Sequence, residues 1–162
     1  MARLSQTDPI SRELVEAAFV CDFIRVRTLL GLGAHPDARD EDERTPIFSA
    51  VLGNSVGLLG LLLEAGADPN AQDKDGWSAL HFVAQEHLTE MAHILLGRGA
   101  DPNLRDNDGN TPLWRAVHSS RGRTELVGVL RAAGAKDDLA NAQGESAKDL
   151  DQRLGHGVLN VN

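Results

Sequence analysis

Apolar side chains recur along this chain at three- and four-residue steps, in several short stretches. The clearest sets are Leu58, Leu59, Leu62 and Leu63, and further along Met91, Ile94 and Leu95. Side chains at this spacing share one face of a helix, so each stretch predicts a short helix with an apolar face. Clusters of Gly, Pro, Asn and Asp separate the stretches and predict turns between them.

The turn signals repeat with a nearly fixed period. Gly-Ala pairs stand at positions 33–34, 66–67, 99–100 and 134–135, so the first three are evenly spaced and the fourth follows slightly later. A turn follows each pair, and a Thr or Ser follows each turn at the same distance in phase. Several markers that keep one phase indicate an internal repeat of about 33 residues.

Each marker of the repeat has a physical role. Thr or Ser can cap the first helix of a unit by accepting a free backbone N–H, at Thr45, Ser78, Thr111 and Ser146. Glycine ends the second helix in the left-handed conformation, at Gly66, Gly99 and Gly134. Each unit is therefore predicted to be a helix, a tight turn, a second helix and a projecting hairpin loop.

The sequence resembles the ankyrin-repeat family. Residues 75–81 (Asp-Gly-Trp-Ser-Ala-Leu-His) and 110–113 (Asn-Thr-Pro-Leu) are similar to the family motif, and residues 66–71 are similar to its repeat end. The resemblance implies one all-α solenoid of helix-turn-helix units with projecting β-hairpin loops, over residues 1–162. We place units at about 11–39, 40–72, 73–105 and 106–140, a partial cap at 141–155 and a tail at 156–162. The first unit lacks the Thr-Pro start, as expected of a capping repeat.

Composition narrows the function further. The chain has 162 residues, one cysteine, 4% aromatic residues and a net charge of -8. A single cysteine excludes an internal disulfide and a multi-cysteine zinc site, and no apolar run reaches the length of a membrane span. The acidic balance argues against a nucleic-acid duplex as partner. We expect a free-standing monomer in the cytoplasm, with a core of aliphatic side chains.

No constellation of residues predicts catalysis or a cofactor. Residues 73–76 and 106–109 contain the Asp-x-Asp-Gly core of a calcium loop, but the flanking ligand positions hold the wrong residues. The histidines lack metal-binding spacing, and the family resemblance implies a structural hydrogen bond for His81. Cys21 has no histidine partner nearby in the sequence. We therefore predict a protein that is not an enzyme and needs no cofactor.

The net charge comes from the projecting loops. Residues 35–44, 68–77, 101–110 and 136–145 hold 14 acidic and 5 basic side chains, whereas the remainder holds 10 and 11. Some of these acids are expected to bond their own backbone, at Asp40, Asp68, Asp73, Asp101 and Asp106. The surplus acids are Glu41, Asp42, Glu43, Asp75 and Asp108. They are either solvated loop tips or the electrostatic footprint of a basic partner.

The resemblance implies a binding surface made of the loop tips and the inner surface of the first helices. The partner-binding positions that it assigns are Arg39, Glu41, Asp42, Arg44, Gln72, Lys74, Asp75, Trp77, Leu52, Gln85, Glu86, Arg105, Asn107, Asp108 and Asn110, with Trp114 added. We expect Trp77 to be exposed and to act as a hot spot; the alternative is that it packs on a neighbouring hairpin. We expect Phe48 to pack between first helices, and Trp114 either to do the same or to face a partner.

The predicted function is non-catalytic protein binding that inhibits or masks the partner. One version is a bacterial immunity protein that neutralises a basic toxin. The other is a regulator or adaptor of a cellular enzyme or transcription factor. A small-molecule or metal site is less favoured, because the grooves of this family are shallow.

Several departures from the repeat leave alternatives open. The turn between paired helices usually holds glycine; here the residue is Cys21, Asn54 and His87 in the first three units and Gly122 in the fourth, where residues 118–123 include two extra residues. This insertion is either a tolerated loop or a basic contact surface. The helix glycines Gly57, Gly60 and Gly128 reflect either drift or a close approach by another chain. In the tail, Val158, Leu159 and Val161 either fold back over the cap or fray.

Overall fold

A computed structural model describes residues 8–160, and within that range short helices alternate with turns and projecting loops. Its elements are α1 (Pro9–Phe19), α2 (Phe23–Gly31), α3 (Pro46–Leu52), α4 (Val56–Glu64), α5 (Ala79–Glu86), α6 (Thr89–Gly97), α7 (Pro112–His118), α8 (Glu125–Ala132), α9 (Ala147–Leu154) and a 3-10 turn (Val158–Asn160). The prediction of an all-α repeat fold is confirmed.

The helices form two layers. Each odd-numbered helix from α1 to α7 packs against the even-numbered helix that follows it. The odd-numbered helices, called here the first helices, contact one another in chain order and end against α9, while α2, α4, α6 and α8 form the second layer. Each unit therefore buries its apolar faces against its neighbours, as in a solenoid.

The buried positions of the core recur at the same place in each repeat. The same first-helix position is fully buried in four units, at Leu14, Ile47, Leu80 and Leu113. A second-helix position is equally regular, at Leu29, Leu62, Leu95 and Leu130. Phe48 is buried between first helices and meets the Phe82 ring edge to face at 5.7 Å, as predicted. Small aliphatic side chains thus fill most of the interior.

The predicted left-handed positions are also found. The helix-ending glycines have φ between 89° and 93°, at Gly33, Gly66, Gly99 and Gly134. The turns between paired helices have positive φ at Cys21, Asn54 and His87, and the insertion uses two such residues, Arg121 and Gly122. The backbone geometry of the turn is therefore kept where glycine is absent.

The capping prediction is correct in position but only partly correct in chemistry. The predicted residues all stand at the N-cap, and Thr111 and Ser146 accept a backbone N–H from their helices, both at 3.2 Å. Thr45 makes no such bond. At Ser78 the His81 ring takes part, because its Nδ1 accepts the Ser78 N–H at 3.1 Å and lies 2.8 Å from the Ser78 hydroxyl.

The first helix begins earlier than the predicted start of its unit. Helix α1 starts at Pro9 rather than at Ser11, and proline suits the first position of a helix. The Asp8 carboxylate caps the helix by accepting the backbone N–H groups of Ile10 and Ser11, each at 3.3 Å. The first unit therefore has a proper helix start without the Thr-Pro pair.

The tail folds back rather than fraying, as far as Asn160. Val158 is buried, and the Asp151 carboxylate accepts the backbone N–H groups of Val158 and Leu159 at 3.0 and 3.1 Å. Val161, also considered in the sequence, lies outside the described residues. The C-terminal end of the solenoid is therefore covered by its own chain.

Packing within residues 8–160 does not require glycine at the three helix positions Gly57, Gly60 and Gly128. An added methyl group would meet nothing within 4 Å at Gly60 and Gly128, and only the Phe23 ring at 3.9 Å at Gly57. None of the three positions therefore needs glycine to avoid a clash within residues 8–160.

We predict opposite effects of alanine at two nearby glycines. Gly60→Ala should raise the free energy of unfolding by up to about 1 kcal/mol, because alanine is the better helix former. Gly66→Ala should lower it by about 1 kcal/mol or more, because Gly66 has a φ of +90°. Urea unfolding followed by circular dichroism measures both. Equal shifts for the two variants would contradict the assigned backbone geometry.

Candidate functional site

The projecting loops, called fingers here, are ordered by one side chain each. The fingers are residues 35–44, 68–77, 101–110 and 136–145. In each, one side-chain oxygen accepts two backbone N–H groups of the same finger at 2.8 to 3.0 Å; the acceptors are Asp40, Asp73, Asp106 and Asn141. Among residues 8–160 the only β-bridge joins Gln72 and Ser78. The fingers are therefore side-chain-supported turns more than β-hairpins.

Two further aspartates bond the backbone as predicted. Asp68 and Asp101 accept the N–H groups of Asn70 and Asn103, each at 2.8 Å. The structural role predicted for the repeat aspartates is thus confirmed, and these acids belong to the architecture of the fingers.

Neighbouring fingers are joined by main-chain hydrogen bonds. The amides of Lys74, Asn107 and Ala142 donate to the carbonyls of Asp42, Asp75 and Asp108 at 3.0, 3.0 and 2.8 Å. The fingers therefore form one continuous row of hydrogen-bonded loops along the solenoid.

Four predicted partner-binding residues also join fingers together. Arg39 donates to the carbonyl of Gln72 at 2.8 Å, Gln72 to that of Arg105 at 2.8 Å, and Arg105 to that of Ala140 at 2.6 Å. The Asn107 side chain donates to the carbonyl of Lys74 at 3.0 Å. These polar groups therefore hold the fingers to one another within the chain.

Asn110 is the predicted site residue that the structure buries. It is 4% exposed, and its side chain bonds Asp106 and Asn141, while its carbonyl meets His81 Nε2 at 3.1 Å. It offers a partner almost no surface, because its polar groups are used between adjacent units.

Cationic and aromatic side chains contact one another in a row next to the fingers. The guanidinium of Arg115 lies 4.1 Å from the Trp77 ring centre and 5.5 Å from that of Trp114. The Trp77 ring is 4.7 Å from Phe82, over which Arg44 lies at 5.7 Å. Trp114 stacks on His118 at 5.1 Å. We call this set the cation–aromatic row: Arg44, Phe82, Trp77, Arg115, Trp114 and His118.

Both arginines of the row are anchored to finger carboxylates. Arg115 forms an ion pair with the buried Asp106 at 2.5 Å, and Arg44 lies 3.5 Å from the buried Asp73. Each carboxylate also holds its own finger, so one group fixes the finger and the guanidinium together. Stacking on aromatic faces further stabilises such cations.

The predicted exposure of Trp77 is only partly correct. Its side chain is half-buried, in contact with Phe82 of α5 and Arg115 of α7 rather than lying free at a finger tip. Phe82 and Arg115 belong to the row although the sequence analysis did not select them, and His118 was considered only as part of the insertion at residues 118–123. The sequence does contain a signal for Phe82 and Arg115, because they occupy the same repeat position in two consecutive first helices.

A shallow groove of about 430 Å³ opens along the row. Its walls include Gln85 of α5 and the finger residues Asp75 and Asp108. These two carboxylates are exposed and form no ion pair within residues 8–160, and the same holds for Glu41. We call the row, Gln85 and these three acids the groove face.

Asp42, in contrast, is already neutralised. Lys74 pairs with it at 2.5 Å, and this bond lowers the pKa of the Asp42 carboxyl while it raises the pKa of the Lys74 ammonium. Arg44 adds a second cation at 3.7 Å. Asp42 and Lys74 therefore contribute little net charge to the edge of the groove.

His81 has the structural role that the resemblance implies. Its Nδ1 accepts the Ser78 N–H at 3.1 Å, so its Nε2 carries the proton and donates to the Asn110 carbonyl. Burial lowers the pKa of His81 from 6.5 to about 4. The neutral ring thus links α5 to the next finger.

Other kinds of site find no support in the described residues. From residue 8 to 160 no group of three His, Cys, Asp or Glu side chains converges to hold a metal ion. No helix in that range is long and apolar enough to cross a membrane.

A solenoid of helix pairs with linked fingers defines a class of repeat protein, and comparison with known families identifies it. The family model described as "Ankyrin repeats (3 copies)" matches residues 14–106 and 56–141. The chain belongs to the ankyrin-repeat family, whose repeats are protein–protein interaction modules and generally not catalytic. No curated protein matches the chain.

We predict that Gln72 stabilises the stacked fingers. Gln72→Ala removes side-chain bonds to Gly76 and Arg105 and should lower the free energy of unfolding by about 1 kcal/mol. Gln143→Ala is the matched control, because that exposed glutamine makes no side-chain bond within the described residues. Urea unfolding of both variants measures the difference. Equal stability of the two variants would contradict the role of Gln72.

We predict a pH dependence from His81. The unfolded chain takes up a proton near pH 6.5, whereas the folded chain resists protonation until about pH 4. The stability that the neutral His81 ring contributes is therefore fully present above pH 6.5 and is lost as the pH falls towards 4. Between pH 7 and pH 5 the wild-type chain should lose about 2 kcal/mol more unfolding free energy than His81→Gln. Parallel pH profiles for the two proteins would exclude this role.

Proposed function

We propose that this protein binds a protein partner with a basic contact surface through its groove face, and that it inhibits or masks that partner. The observation that carries the proposal is the cation–aromatic row, whose members other than His118 are half-buried and already ordered next to unpaired finger acids. Binding hot spots are enriched in Trp and Arg. A face of ordered aromatic and guanidinium groups loses little side-chain entropy when it binds.

The acidic rim suits the approach of the partner. Glu41, Asp75 and Asp108 project from three successive fingers and have no ion-pair partner within residues 8–160. Complementary charge speeds encounter and disfavours acidic partners. We therefore assign partner choice and association rate to the rim, and most of the binding energy to Trp77 and its neighbours.

The other predicted positions take an indirect part in this proposal. Six of them hold the fingers in place, namely Arg39, Asp42, Gln72, Lys74, Arg105 and Asn107. Two others, Arg44 and Trp114, belong to the cation–aromatic row. Asn110 is left out of the proposed interface. The insertion at residues 118–123 begins at His118, the last member of the row, so it borders the interface.

A binder that covers the active surface of its partner acts as an inhibitor. A basic bacterial toxin fits the acidic rim, and a cellular enzyme or transcription factor with a basic surface is the alternative. We keep the expectation of a cytoplasmic monomer. Inhibition is measured as the loss of the partner's own activity when the protein is added, which separates a masking role from an adaptor role.

The groove face is tested by affinity capture from the source cells. Trp77→Ala should weaken binding of the captured partner by about tenfold or more. His93→Ala, on the exposed surface of α6, is the control and should bind as the wild-type protein does. Circular dichroism confirms that both variants are folded. Equal binding by Trp77→Ala and wild type would place the interface elsewhere.

A separate measurement tests the rim. Changing Asp75 and Asp108 together to Asn should slow association and reduce its salt dependence, with a smaller effect on dissociation. Surface plasmon resonance at two salt concentrations gives both rates. An unchanged association rate at low salt would mean that the acids are only solvated tips.

A further inference from the structure

One position that recurs in each of the first helices extends the groove face towards the N-terminal units. Phe19, Leu52, Gln85 and His118 follow one another at intervals of one repeat and stand at or next to the C-terminal ends of α1, α3, α5 and α7. These helices contact one another in that order. Gln85 lines the groove and His118 belongs to the row. Phe19 and Leu52 therefore continue the groove face over the first two units.

At this position the first two units are apolar and exposed. Phe19 is 78% exposed and Leu52 is 58% exposed. Val20, directly after α1, is 67% exposed, and Ile24, near the start of α2, is 78% exposed. We call Phe19, Val20, Ile24 and Leu52 the apolar strip. A single exposed apolar residue is ordinary, but a group of them in register with a binding groove marks an interaction surface.

The groove face and the apolar strip differ in chemistry. Units three and four present Trp77, Arg115 and the carboxylates of Asp75 and Asp108, whereas units one and two present the strip. One occupant of the whole surface must therefore carry basic groups at one end and apolar groups at the other.

We propose that a single partner segment, basic at one end and apolar at the other, lies along the first helices, with its basic end over Trp77, Asp75 and Asp108 and its apolar end on the strip. This inference rests on the proposed function and adds the composition and direction of the segment. Charge complementarity fixes the basic end, and the register of Leu52 with Gln85 fixes the other.

A second copy of the chain fits this surface less well. The four fingers together carry a net charge of -9, so two facing copies would bring like charges together. The same charge opposes an anionic membrane surface.

Selection of peptides on the full chain tests the inference. The distance from α1 to α7 is three helix spacings, roughly 30 Å, and an extended peptide of 16 residues reaches about 50 Å. A phage-displayed library of random 16-residue peptides is therefore long enough to span the surface. We expect enriched sequences with Lys or Arg clustered at one end and large apolar residues at the other.

Matched variants assign each end of the selected peptides. Synthetic copies should bind the double variant Phe19→Ser, Leu52→Ser about tenfold more weakly than wild type. Leu32→Ser is the control, because Leu32 is 65% exposed but lies after α2, outside the groove face. A peptide whose apolar residues are changed to Ser should bind wild type and the double variant equally.

The outcomes separate this inference from the proposed function. Enriched peptides that are only basic, that bind the double variant normally and that lose affinity for Trp77→Ala would overturn the inference and keep the function. If no peptide is enriched, the inference is overturned and the proposed function stands; if the enriched peptides bind Trp77→Ala as tightly as wild type, both are contradicted. Sedimentation velocity gives a third outcome: a wild-type dimer that the double variant converts to a monomer would make a second copy the occupant and overturn the inference.

Discussion

The buried carboxylate of Asp106 is the interaction on which the groove face depends. One of its oxygens accepts two backbone N–H groups and so shapes the third finger, while the other accepts a bond from Arg115. Burying an ionised carboxylate is costly unless its charge and its hydrogen bonds are satisfied. Here both are, and the same group that orders the finger places the guanidinium over Trp77. Asp73 repeats the arrangement one unit earlier, with Arg44 as its cation.

This constraint explains how a chain with few aromatic residues presents most of them on one ordered surface. The interior is filled by aliphatic side chains at repeating positions, so the fold does not need tryptophan. Trp77 and Phe82 line the groove instead, beside ion-paired arginines, and Trp114 contacts Arg115 next to them. The acidic residues also fall into two groups. Those that accept backbone N–H groups stabilise the fingers, and those that are unpaired at the finger tips make the surface negatively charged.

The repeat made the fold predictable from sequence, because each marker reports a backbone requirement that recurs in every unit. Gly66 needs positive φ, and Leu80 lies at a buried position shared by four units. The fingers were placed correctly, and the roles of their aspartates follow from local hydrogen bonding. Cap chemistry was less predictable, because the buried His81 ring takes the Ser78 amide and also meets the Ser78 hydroxyl.

The site was less predictable because it depends on contacts between units. Position within a finger gives no indication that Arg39, Gln72 and Arg105 reach the next finger's carbonyls, since that depends on the distance between stacked fingers. Arg115 was missed because Trp77, over which it lies, belongs to the preceding unit and is distant from it in the chain. Asn110 was assigned to the surface by its finger position, although adjacent units bury it.

Amide hydrogen exchange tests the central claim most directly, namely that the fingers are linked into one ordered surface without a partner. The amides of Lys74, Asn107 and Ala142 donate to the preceding finger. Glu41 occupies the equivalent position in the first finger, where its amide has no acceptor within residues 8–160. The account predicts that the three bonded amides exchange at least about a hundredfold more slowly than that of Glu41. Exchange of all four at the same rapid rate would contradict it.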